Sequence, residues 1–171
     1  MIALATARDA IISEDEVYRY MLVRRWSPGP VAMFIMLNPS VADADIDDPT
    51  IRRCIGFAKR WKCGGLYVGN LFAARATNPN DMLAVRDPVG PENKHHLHRM
   101  VRRVNVTGPI VCAWGTKGGY MAQDRTVMAW LQEWGVQPYA LGTTYTGYPR
   151  HPLYVRASEP LVCYRGRREP I

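Results

Sequence analysis

With 171 residues, 47% of them hydrophobic, the chain is long enough to bury one core of ordinary size and needs no second domain. Its 22 Lys plus Arg outnumber 15 Asp plus Glu, and the net charge of +7 favours a polyanionic partner, nucleic acid before a membrane, or else marks a merely soluble basic protein. Four scattered cysteines without a Cys-x-x-Cys pair exclude the usual zinc spacing, and no apolar run reaches bilayer length.

The expectation is a single domain over residues 1–171, cytoplasmic, with reduced thiols and no membrane association. The acidic Glu14-Asp15-Glu16 and the weakly apolar start do not fit a secretory leader, and residues 1–16 show no strong pattern, reading as a covering arm, a loop or a short strand. Val17–Trp26 is aromatic and β-branched, and Ser27-Pro28-Gly29-Pro30 is a turn. Together they predict a hairpin onto the next strand. That strand, Val31–Leu37, is unbroken apolar sequence ending at Asn38-Pro39-Ser40, where proline stops the ladder and a polar turn begins.

An acidic run follows, and Asp48-Pro49 supplies an N-cap and a first-turn proline for a helix with Ile51, Cys54, Ile55 and Ala58 on one face. Leu66–Phe72 is a second core strand, again running apolar into an asparagine, Asn70. Residues 73–87 are rich in turn signals and too long for a minimal connection, a length that loops with a function often have. Pro91–Val104 predicts a second helix, and Ile110–Trp114 a third strand followed by Gly115-Thr116-Lys117-Gly118-Gly119. A third helix runs to about Trp134 with Gly135 as its stop, and Pro138–Leu141 is a short fourth strand. The basic tail, residues 158–171, reads as a solvated arm. Strands alternating with helices make this an α/β fold: a mainly parallel central sheet of about four strands, covered on both faces, plus an N-terminal β-hairpin.

Ligands of open α/β sheets bind at the carboxyl ends of the strands, and the polar motifs here all follow apolar runs. Asn38 offers a donor and an acceptor, enough to hold a base edge or orient a water, or else simply to form a turn. Among Asp43, Asp45, Asp47 and Asp48, one carboxylate can polarise water, with Asp43 the first candidate and Asp48 read as the helix cap. The glycine and closing glutamate of a calcium loop are missing, so no metal and no cofactor is expected. Asn70 is the second strand-end amide, and Arg75 beyond it can hold a phosphate or pair on the surface. Gly115, Thr116 and Lys117 resemble a phosphate cradle at a helix start, although the Walker pattern is not matched. His151, between Arg150 and Pro152, suits a fixed imidazole that hydrogen-bonds a leaving group, while Leu153 and Tyr154 can wedge into or stack on bases, or merely cover the sheet edge.

The ordered set Leu-Asn-Pro-Ser, Asp-Asp-Pro-Thr-Ile-Arg-Arg-Cys, Asn-Leu-Phe-Ala, Ala-Trp-Gly and Pro-Arg-His-Pro-Leu-Tyr, over roughly residues 17–154, resembles a bacterial and phage family catalogued as a domain of unknown function. More distantly, the motifs are similar to those of the uracil-DNA glycosylase superfamily, including its mismatch-specific and thymine-DNA branches. Leu37-Asn38-Pro39-Ser40 matches the first turn, Asn70 to Arg75 (with Phe72) the second strand end, residues 111–115 the third, and His151-Pro152-Leu153 the late loop. Ser40 stands where that superfamily has glycine, and Leu153 where it has serine. The resemblance implies a three-layer α/β/α sandwich in which Asn38 positions the attacking water, His151 steadies the departing base and Asn70 reads the flipped base. The function expected is hydrolysis of the N-glycosidic bond of a flipped base in DNA. A base-modifying transferase on the same scaffold and a non-catalytic base-binding module are the rivals.

Overall fold

The computed structural model describes residues 7–104 and 108–168. Its organising element is β3 (Val31–Met36), whose six residues are all buried, so it needs neighbours on both edges and cover on both faces. The edges are taken by β4 (Gly65–Asn70) and β5 (Ile110–Cys112), both parallel to it, with Met36 level with Asn70 and Ile35 with Cys112. The order across the sheet is β1-β2-β4-β3-β5-β6-β7, completed by β1 (Arg8–Ile12), β2 (Arg19–Arg25), β6 (Tyr139–Ala140) and β7 (Val162–Cys163). The fold is mixed α/β: the four central strands are parallel, and antiparallel strands close each edge.

Alternation along β3 sends side chains to opposite faces. Ala32, Phe34 and Met36 pack with Ile51, Cys54, Phe57 and Ala58 of α1 (Pro49–Arg60). Met33 and Ile35 pack with Leu97, Met100 and Val101 of α3 (Asn93–Val104) and with Val127 and Leu131 of α4 (Gln123–Glu133). The Asp48 carboxylate caps α1, accepting from the Ile51 N–H at 2.8 Å, and Pro49 opens the helix as the sequence predicts. A short α2 (Pro79–Leu83), capped by Asn78, lies within the long turn-rich segment.

Several expectations are corrected. The sheet has seven strands rather than about four. β2 does not pair with β3; it lies between β1 and β4, so the N-terminal hairpin is β1–β2. The reason is at Gly64, where a Cβ would fall 2.2 Å from the Ser27 carbonyl oxygen. The backbone before β4 thus runs against the turn after β2, taking the place expected for β3. Residues 8–12 are a strand rather than an arm, while residues 1–6 lie outside the described residues. The tail is not a solvated arm: β7 pairs with β6, and Tyr164 is buried. Among the described residues, no helix is long and apolar enough to cross a membrane.

Candidate functional site

Because β3, β4 and β5 are parallel, their carboxyl ends reach one edge of the sheet together. The chain leaves β3 toward β4 on one side and later returns to β5 on the other, and such a switch point opens a crevice. A cavity of about 500 Å³ lies there, in the range of small-ligand sites. It is lined from β3 by Met36, Leu37, Asn38 and Ser40, from β4 by Asn70, and from beyond β5 by Trp114, Gly115, Thr116 and Lys117. His151, Leu153 and Tyr154 complete the wall from the late loop.

Asn38 is held by its amide nitrogen, which donates to the carbonyls of Pro39 at 3.0 Å and Ala76 at 2.8 Å. Both N–H groups are thereby used, so Oδ1 is left as the group that can accept from a ligand or water. His151 sits in a loop fixed from two directions. Arg53 donates to the carbonyls of Pro152, at 3.1 Å, and Val155, and the Gly115 N–H donates to the Pro149 carbonyl at 2.9 Å. His151 Nδ1 accepts from the Leu153 N–H at 3.2 Å, so the proton of the neutral ring is on Nε2. Burial pushes the imidazole pKa below its ordinary 6.5, partly opposed by the nearby Asp48 carboxylate. The ring is therefore a neutral Nε2–H donor at pH 7.

Asn70 is 1% exposed, and neither its Oδ1 nor its Nδ2 has a hydrogen-bond partner. The backbone around it is satisfied, with Asn93 Nδ2 donating to the Asn70 carbonyl at 2.9 Å. An amide with both ends unmade in a cavity wall costs stability in the free protein and is matched to a ligand presenting a donor beside an acceptor. Replacing Asn70 with leucine is expected to stabilise the empty protein by about 1 kcal/mol, raising Tm by about 2–4 °C, while removing ligand affinity. Thermal unfolding with and without added nucleobases checks both.

Not every expected residue reaches the cavity. Asp43 does not line it; its Oδ1 accepts from the Asp45 and Ile46 N–H groups at 2.9 Å each, closing the acidic loop and holding the carboxyl below its usual range. Phe72 is fully buried in the core, and Pro39 is buried with its carbonyl taken up by Asn38 and the Ala76 N–H. Arg75 Nη1 reaches the Glu16 carbonyl at 3.4 Å, and Arg150 Nε the Thr143 carbonyl at 3.2 Å, both away from the cavity wall. Gly115, Thr116 and Lys117 do line the cavity, at the start of a 3-10 segment, Thr116–Ala122, broken at Tyr120 and Met121; α4 itself begins only at Gln123.

Three of the lining residues that the expected site lacked bear on its chemistry. Asp48 caps α1 and also lines the cavity, so it is the carboxylate present where Asp43 was expected. Trp114 is buried with its indole N–H unpartnered. Arg19, at the start of β2, is 2% exposed in the cavity wall. The signal for Asp48 was legible, since a cap opening a helix after a strand-end turn faces the same edge. Arg19 gave none, because its position follows from β2 lying beside β4.

Among the described residues, no group of three or more His, Cys, Asp or Glu side chains is placed to hold a metal ion. No curated protein and no solved structure matches this chain. A family match does cover residues 19–153, which includes β2 through His151 and hence almost the whole cavity wall. The chain belongs to the family described as "Protein of unknown function (DUF1643)".

Proposed function

We propose that this protein hydrolyses the N-glycosidic bond of a base extruded from DNA. The observation that carries the reading is that Asn38 and His151, 113 positions apart by number, line one cavity, the first with a free acceptor oxygen and the second with a free Nε2–H. In this reaction the bond from C1′ to the base nitrogen breaks and its electron pair leaves with the base. His151 Nε2–H donates to the base as that charge develops, and Asn38 Oδ1 accepts from a water whose oxygen attacks C1′. Asp48 offers negative charge to the oxocarbenium-like sugar and takes the proton the water releases. Asn70 reads the base edge.

Extrusion is required because the target atoms are unreachable in the stack. Leu153 and Tyr154 at the cavity mouth, 43% and 81% exposed, are suited to fill or stack on the vacated step. The motif resemblance to the uracil-DNA glycosylase superfamily supports the same reading, as do a parallel sheet core with helices on both faces and the basic net charge of +7. The compartment consistent with it is the cytoplasm. In this reading neither a metal nor a cofactor takes part.

The test is incubation of the purified protein with single- and double-stranded DNA carrying uracil, mismatched bases or modified pyrimidines, followed by assay for abasic sites. Base release is expected, and Asn38→Ala is expected to slow it by about 10²-fold, the cost of losing one water-orienting or charge-stabilising contact. Release unaffected by Asn38→Ala removes the role assigned to the amide. Tight DNA binding with no product, or a mass increase on the base, replaces hydrolysis by recognition or transfer.

A further inference from the structure

The described part of the molecule holds two fully buried arginines on the same strand, and they are not alike. Arg24 and Arg19 are each 2% exposed, and both donate to the loop that follows Ser40. Arg24 has an anion: its Nε lies 2.8 Å from Asp47 Oδ1. Arg19 has no such pair: the Asp48 and Asp43 charges act on it without a salt bridge, its Nη1 donates to the Ala42 carbonyl, and its Nε has no hydrogen-bond partner. Desolvation lowers its pKa to about 10, which still leaves it fully charged at neutral pH.

A buried cation with no paired anion is costly, and an anionic ligand that pairs with it offsets that cost. Arg19 lines the cavity with Lys117, a second cation, and with Asp48, whose charge offsets part of the desolvation of Arg19 and whose Oδ1 is taken by the helix cap. Asn70, in the same cavity wall, has an unmade amide N–H. A guanidinium edge with a free Nε–H is the donor arrangement that binds carboxylate and phosphate oxygens.

We propose that the ligand of this cavity carries an anionic oxygen group, a carboxylate or a phosphate, and that Arg19 is the residue that binds it. This rests on the cavity being the substrate site, and deepens the function proposed above by naming the class of base or nucleotide it takes. Two sources present that chemistry: an acidic substituent on the base itself, or the phosphate of a nucleotide.

Calorimetric titration of the full chain separates them. The probes are the deoxynucleosides of adenine, guanine, cytosine, thymine and uracil, their 5′-monophosphates, and the 5-carboxyl derivatives of the two pyrimidine nucleosides deoxyuridine and deoxycytidine. At least one anionic probe is expected to bind tenfold or more tightly than its neutral parent. Preference among the 5-carboxyl compounds assigns the anion to the base, and preference among the monophosphates assigns it to the nucleotide. Arg19→Met is expected to erase the preference, and Arg19→Lys, which keeps the charge should the methionine variant misfold, to retain part of it.

If no anionic probe outbinds its neutral parent in the unaltered protein, including the case in which none binds, the proposal is overturned. It is overturned equally if the preference survives in a folded Arg19→Met variant. The readout is binding alone, so a failure to release bases from DNA counts against the hydrolytic reading and leaves this one standing.

Discussion

Under the hydrolysis proposed above, replacing His151 with asparagine is expected to lower the rate of base release by about 10²–10³-fold, with a much smaller change in KM. That is the usual cost of deleting one positioned donor to a developing anion. The expectation follows from the ring's tautomer. Nδ1 is committed to the Leu153 N–H, so only Nε2–H faces a ligand, and it is present in the neutral ring without any proton uptake. Single-turnover measurement on a base-containing oligonucleotide isolates the step.

The pH dependence has a definite sign. Burial favours the neutral ring, so its pKa in the folded chain lies below 6.5. Protonation at lower pH breaks the Nδ1 acceptor bond, so activity holds at neutral pH and falls as pH drops through that lowered value. The stability contributed by burying the ring neutral follows the same course: it is present above 6.5 and lost toward acid. Removing the Asp48 charge, by Asp48→Asn, lowers the His151 pKa further, because that carboxylate opposes the shift. A pH–rate profile of the unaltered protein, with NMR titration of His151 in both proteins, checks the order.

The second large effect is on the fold. Phe34→Ala is expected to destabilise the chain by about 3–5 kcal/mol, lowering Tm by roughly 10 °C. Phe34 is completely buried at the middle of β3, its ring stacked on Trp61 at 5.7 Å, and the cavity left behind would be walled by rigid strands on both sides. Chemical denaturation gives the value directly. Since β3 carries Asn38 at its end, ligand affinity is expected to fall as well.

What the sequence reveals and what it hides have physical causes. Local signals survive intact: Asp48-Pro49 opens α1 because a cap and a first-turn proline act within four residues of each other. The meeting of Asn38, Asn70, Gly115 and His151 at one rim follows from parallel strands, each of which delivers its carboxyl end to the same edge. The place of β2 is not local. Its aromatic, alternating pattern fits a partner on either side, and only the close passage of Gly64 past Ser27 and Pro28 decides for β4. Arg19 was unread for that reason. β7 escaped because two exposed residues, Val162 and Cys163, carry no periodicity at all, and their pairing to β6 is held by backbone alone. Asp43 misled because an aspartate two residues before another reads the same whether it faces a ligand or turns back on its own chain.

The strand β7 has a reach beyond its length. Just after it, Tyr164 donates through its hydroxyl to the Gly147 carbonyl at 3.1 Å, and the Arg167 guanidinium lies over the Tyr148 ring while pairing with Asp124 at 2.6 Å. Both aromatic anchors bear on the segment that leads into His151. A proteolytic nick at Leu161, or a bulky fusion partner crowding Tyr164, would therefore slacken the imidazole through Gly147 and Tyr148 while every group lining the cavity stayed chemically intact.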